Sequence, residues 1–215
     1  MPAHSFNLVA SFYDPLARLV FGPSLYHSQL QHLDFVAPGA RVLLIGGGTG
    51  RILPALFQRT ACDQVVFLEA SGKMVAKARS LAEGQPYAGK VTFRVGTEED
   101  IGPQERFDVI LTFFFLDLFS PPLLYPIASR LFQALKPQGW WLASDFVRPR
   151  GAWRRVGAEL LFRSMYLFFR VTCGISATSL PDWQALLARF PLNPVKSCYF
   201  YHGLVRATAY QKREA

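Results

Sequence analysis

"RVLLIGGGTGR", residues 41–51, decides the fold: four apolar side chains run directly into a glycine cluster that ends on a basic residue. A continuous apolar run this short fits a strand covered on both faces, and glycine after it permits the unusual dihedrals of a strand-to-helix turn. The missing Cβ atoms let a ligand lie against the backbone. A helix starting near Arg51 would aim free N–H groups and the positive end of its dipole at that ligand. Pro54 in its first turn is compatible with this.

Similar runs follow at "QVVFLEA" (64–70), "VTFRV" (91–95), "FDVILTFF" (107–114) and "WWLASDF" (140–146). Helical spacing lies between them: Met74, Val75, Ala78 and Leu81 behind the N-cap candidate Ser71, then Leu123, Leu124, Ile127, Leu131 and Leu135 ahead of "KPQG". This alternation specifies a parallel sheet flanked by helices. Residues 15–34 read as one or two further helices, and "VKSCYFY" and "LVRATAY" are separated only by His202 and Gly203. That link is too short for a parallel crossover and requires an antiparallel hairpin. The expected fold is α/β: a Rossmann-like open sheet of about seven strands, mostly parallel with a C-terminal antiparallel hairpin, and helices on both faces. One domain is expected over 1–215, with a helical cap at 1–38 and a lid-like helical insert at 148–178.

The register of the glycines narrows the ligand. A dinucleotide site takes G-x-G-x-x-G, which would put its third glycine where Arg51 stands. The pattern present is G-x-G-x-G, at Gly46, Gly48 and Gly50, which suits a ligand crossing the loop without a pyrophosphate. Glu69 closes the second apolar run 19 positions after Gly50, where a carboxylate can accept from ribose hydroxyls.

With these residues the chain resembles the class I S-adenosylmethionine-dependent methyltransferases, in particular their small quinone-biosynthesis-like (UbiE-like) group. "VLLIGGGTG" is similar to the family's glycine motif, "VVFLEASGKMVAKAR" to its ribose-binding strand and helix, and "FDVILTFFFLDLF" to its fourth strand. "ALKPQGWWLASDF" resembles its turn into the fifth strand, and "FNLVASFYDPLARLVFG" its leading segment. The resemblance implies S-adenosylmethionine as cofactor. It places Gly46, Gly48 and Gly50 on the methionine and ribose part, Glu69 and the adjoining Ala70 at the ribose, and Met74 near the adenine or simply in the core. Tyr13 would reach the methionine carboxylate, with Thr112 and Phe113 at the end of the fourth strand beside the donor. Two positions depart from the family: Leu44 stands where an acid is usual, and Thr97 where an Asp accepts from the adenine amine, leaving Glu98 or Glu99 to substitute.

A methyl donor that is already activated needs alignment and exclusion of water more than a covalent enzyme intermediate. The sequence accordingly has no G-x-S-x-G elbow and no H-E-x-x-H. His4, His27, His32 and the three cysteines lack ligand spacing, so no metal and no disulfide framework is expected. Asp117 and Asp145, at the ends of the fourth and fifth strands, are the catalytic candidates for a base; both equally suit helix-capping or loop roles. After the fourth strand the chain reads "TFFF" in place of a polar clamp for a flipped base, so Phe113, Phe114, Phe115 and Phe119 point to a small apolar or amphipathic acceptor and away from nucleic acid.

The net charge of +8 is concentrated: residues 148–170 hold six arginines and one glutamate, a net +5. A basic amphipathic helix there fits a lid, and also transient contact with an anionic membrane surface. The N-terminus "MPAHSFNLVASFYD" lacks a basic head and an apolar run, giving a cytoplasmic expectation. A monomer or homodimer is expected. Two rivals stay open: a nicotinamide-dependent oxidoreductase, and a cofactor-binding or membrane-surface module without turnover.

Overall fold

The computed structural model describes residues 21–149, 152–173 and 177–214; side chains at 152–156, 158, 168–169 and 172–173 are outside the description. The cap and insert expectations therefore fall partly on residues that are not described, as does Tyr13 entirely.

Seven strands form one sheet in the order β3-β2-β1-β4-β5-β7-β6. They are β1 (Arg41–Ile45), β2 (Gln64–Glu69), β3 (Val91–Val95), β4 (Phe107–Phe113), β5 (Leu135–Phe146), β6 (Leu192–Phe200) and β7 (Val205–Lys212). The first five run parallel; β7 pairs antiparallel with both β5 and β6. The expected hairpin is thus present. Its turn holds Tyr201, His202 and Gly203 at positive φ, and its second strand, not its first, joins the parallel sheet.

Helices cover both faces, and the alternation of side chains along each strand divides the core between them. Val42 and Leu44 pack with Leu53 and Leu56 of α2 (Leu53–Arg59) and with Val75 and Ala78 of α3 (Gly72–Ala82). Leu43 and Ile45 pack on the other side with Leu124, Ile127 and Leu131 of α4 (Pro121–Ala134), where Trp183 and Leu187 of α6 (Trp183–Leu187) also lie. Two more helices complete the description: α1 (Ser24–Leu30) before β1, and α5 (Ala152–Cys173) after β5.

Ser71 caps α3 as its sequence suggests, accepting from the Met74 N–H at 3.3 Å. Leu81 and Leu123 are exposed instead of turning inward with their helical neighbours. The fifth strand begins at Leu135, before "KPQG": Gln138 takes a positive φ of 58° and the β4–β5 register shifts between Phe107 and Val109, so the turn-like residues are absorbed as an irregularity of the strand.

Candidate functional site

A cavity of about 810 Å³ opens beyond the carboxyl ends of β1, β2, β3 and β4. The strand order reverses between β1 and β4, and an open parallel sheet leaves its crevice at such a point.

At one end lies the glycine bend. Gly48 has φ +57° and nothing stands within 4 Å of the place a Cβ would occupy, so the missing side chain is cavity space. Its N–H donates to Glu69 Oε2 at 3.1 Å, and the Ser71 N–H donates to Oε1 at 2.9 Å. Glu69 is only 7% exposed, and burial pushes its carboxyl pKa up against the opposing pull of the Ser71, Gly48 and Ala70 N–H groups. A carboxylate has about four lone-pair sites, so these three N–H groups leave acceptor capacity toward the cavity it lines. Ala70, Met74, Thr97 and Glu98 line the same end. Thr97 caps the short 3-10 turn Glu98–Asp100, accepting from the Glu99 N–H, while its own N–H donates to Asp100 Oδ2 at 2.8 Å. Burial, and then the neighbouring Glu99, push the Glu98 carboxyl up, with Arg130 opposing.

The other end is aromatic. Phe113, Phe114 and Phe115 are each 8% exposed and line the cavity, with Phe119 packed edge-on against Phe115 at 4.9 Å. Phe114 sits at φ +52°, a strained conformation for a side chain of this size, held by its N–H donating to the Ser144 carbonyl at 2.8 Å. Asp117 follows, 2% exposed and lining the cavity. Its Oδ2 accepts from the Tyr166 hydroxyl of α5 at 3.2 Å and its carboxyl is hydrogen-bonded to that of Asp145, while its buried Oδ1 has no N–H or hydroxyl donor among the described residues. Beneath it, Asp145 Oδ2 accepts from the Leu116 and Asp117 N–H groups at 2.9 and 3.2 Å, and Oδ1 from the Phe146 N–H at 2.8 Å. Burial raises the Asp117 pKa to about 6 and Asp145 well above the ordinary carboxyl range, Asp145 also feeling the Asp117 charge. The pair therefore retains a proton at pH values where surface carboxyls have lost theirs, and Asp145 holds it the more tightly.

Gly46, Gly48, Glu69, Ala70, Met74, Thr97, Glu98, Phe113 and Asp117 thus come together on one cavity. Three expected residues do not reach its wall. Gly50, at φ +76°, has its α-carbon against α3: a Cβ there would lie 2.7 Å from the Ala78 Cβ, so it serves helix–strand packing. Thr112 precedes Phe113 on β4 and so faces the opposite side of the sheet, where its hydroxyl accepts from Trp141 Nε1 at 2.9 Å. Asp145 is fully buried, its carboxyl accepting from backbone N–H groups and hydrogen-bonded to the Asp117 carboxyl, so it positions the Leu116–Leu118 turn and the Asp117 side chain on it. The sequence reading missed Tyr26 and Gln29 of α1, Phe146 at the end of β5 and Met165 of α5, which also line the cavity. Only Thr49 and Arg51, within the glycine motif itself, carried a local signal.

A methyltransferase-domain profile matches residues 42–139, the span from β1 into β5 that supplies the glycine bend, Glu69 and Asp117. The ubiquinone/menaquinone biosynthesis C-methyltransferase UbiE of Vibrio campbellii is 30% identical over 152 residues, 68% of this chain and 58% of that protein. Over residues 42–139 the chain carries a methyltransferase domain. It spans a little over half the length of the Vibrio protein and 48% of the Geobacter sulfurreducens one, which is 29% identical over 134 residues. The methyltransferase fold extends further than the profile. The Burkholderia thailandensis 1,6-didemethyltoxoflavin-N1-methyltransferase, solved with 1,6-didemethyltoxoflavin and S-adenosylhomocysteine, superposes with a TM-score of 0.70 at 18% identity, covering 99% of this chain and 88% of that one. The mitomycin 7-O-methyltransferase MmcR gives 0.65 at 23%, over 95% and 59%.

The family's donor is S-adenosylmethionine, and the residues of the glycine end fit it. The space above Gly48 admits a ligand against bare backbone, and the carboxylate of Glu69 offers lone pairs to a ribose diol. Thr97, Glu98 and Glu99 border the same space.

Proposed function

We propose that this chain transfers the methyl group of S-adenosylmethionine to a small apolar, ring-bearing acceptor that presents one hydrogen-bond donor. The observation that carries the acceptor half is Asp117, a buried carboxyl that lines the cavity together with Phe113, Phe114 and Phe115 and whose Oδ1 has no N–H or hydroxyl donor among the described residues. An unpaired buried acceptor costs free energy that a ligand O–H or N–H recovers, and the phenylalanine rings reward a flat apolar body.

The donor supplies a methyl on a positively charged sulfur, already activated for displacement. Glu69 and the Gly48 backbone hold its nucleoside end, with Met74 and Glu98 bounding the base. Asp117 Oδ1 orients the acceptor and takes the proton it loses, while Tyr166 and the Asp145-anchored turn keep that carboxylate in place. The phenylalanine wall and α5 exclude water.

A screen for labelled-methyl transfer over quinols, phenols and aromatic amines tests this, with S-adenosylhomocysteine release as the second readout. Transfer to acceptors that bear an O–H or N–H, and none to their methoxy analogues, is expected. Equal transfer to both would remove Asp117 from the account. Carbon methylation of a quinol ring is one arm of the screen, prompted by the name of the Vibrio relative.

A further inference from the structure

The helix that walls the acceptor end has two apolar faces. Phe162 and Tyr166 of α5 are buried against the body of the domain, and Met165 lines the cavity. On the other side Leu160, Leu167 and Val171 stand 73%, 63% and 78% exposed. Their spacing of seven and then four residues places them on one stripe of the helix. Exposing three large aliphatic side chains in a row invites a partner.

Arg163 and Arg170 run along one edge of that stripe, both exposed. Glu159, the lone acid among residues 148–170, is ion-paired with Arg163 at 3.2 Å, which leaves the segment's positive excess uncompensated by its own side chains. Among the described residues no helix is long and apolar enough to cross a membrane, so a lipid contact by α5 lies in the surface plane. An apolar stripe edged by arginines matches a surface that is anionic outside and apolar a few ångströms down.

We propose that the Leu160–Leu167–Val171 face of α5 docks on an anionic bilayer surface. Docking sets the helix that carries Met165 against the phase in which an apolar acceptor accumulates; that consequence, though not the docking, rests on the methyl-transfer reading.

Co-sedimentation of the full chain with vesicles tests it, using phosphatidylcholine alone and phosphatidylcholine mixed with phosphatidylglycerol. Binding to the mixed vesicles, weakening as salt rises, and little binding to the neutral ones are expected. Replacing the stripe (L160S, L167S and V171S together) reduces binding by roughly tenfold or more. The double variant R163E/R170E, which leaves the apolar stripe intact, abolishes the preference for anionic vesicles. No sedimentation with anionic vesicles, or binding unchanged in both variants, overturns the proposal. So does self-association without lipid that the stripe variant abolishes, which assigns the face to a second copy of the chain. Titration of S-adenosylmethionine into the same variants separates the two readings: vesicle binding without donor binding sinks methyl transfer and leaves docking standing, and donor binding without vesicle binding does the reverse.

Discussion

Glu69, at the glycine end of the cavity, has both carboxylate oxygens bonded to backbone N–H groups, whereas Asp117, at the phenylalanine end, keeps one buried oxygen without an N–H or hydroxyl donor among the described residues. The first group is fixed before any ligand arrives, and its neighbours Gly48 and Ser71 belong to the bend and the helix cap that the fold needs anyway. The second is set between β4 and a helix inserted after β5, held by the Tyr166 hydroxyl and the Asp145 carboxyl, both side chains. A site for one constant donor can be built from backbone; a site for a particular acceptor is built from side chains on the parts of the fold that vary.

The sharpest way to break this contrast is at the glycine end. Glu69→Ala removes a buried charged acceptor and is expected to weaken S-adenosylmethionine binding about 100-fold in calorimetry, with the fold retained. Gly50→Val tests the same end through packing: its branched side chain starts 2.7 Å from the Ala78 Cβ at a positive φ. A melting temperature lower by roughly 5–10 °C is expected by scanning calorimetry.

At the phenylalanine end the expected effect is on turnover. Asp117→Asn is expected to lower kcat/KM for the acceptor by about 10²-fold in the labelled-methyl assay while donor affinity holds, since Asp117 lies at the opposite end of the cavity from Glu69. Its pH signature follows from a folded pKa of about 6 against an ordinary 3.8. The folded chain binds the proton more tightly than the unfolded one, so this stabilisation is complete below pH 3.8 and disappears as pH rises through about 6. Thermal melts of the wild type should lose stability across that window and the Asp117→Asn variant should lose less; turnover should rise with pH through the same window as the base is freed. The smallest effect is expected at Arg163→Ala, which breaks only an exposed i,i+4 ion pair and should change stability by less than about 0.5 kcal/mol.

The two ends also differed in how much the sequence alone disclosed. Local signals sufficed at the glycine end: an apolar run, glycines in sequence, and an acid closing the next strand place Gly46, Gly48 and Glu69 on one cavity. Even there Gly50 turned out to pack a helix, because sequence spacing cannot tell a glycine that faces a ligand from one that faces Ala78. At the other end, residues were assigned by nearness to strand ends, and strand parity decided otherwise. Phe113 faces the cavity, so Thr112 beside it faces Trp141. Asp145 turned under the loop for the same reason and became the strap that positions Asp117. Tyr166 and Met165 were illegible, since the amphipathic pattern of α5 does not say against which wall of the domain its inner face folds.

Titration calorimetry of S-adenosylmethionine into the wild type and into Glu69→Ala addresses the central claim, that the bare-backbone bend and the buried carboxylate beside it hold the donor. Saturable binding to the wild type and about 100-fold weaker binding to the variant are expected. Equal affinity in the two proteins, or saturable binding of NAD with none of S-adenosylmethionine, would contradict it.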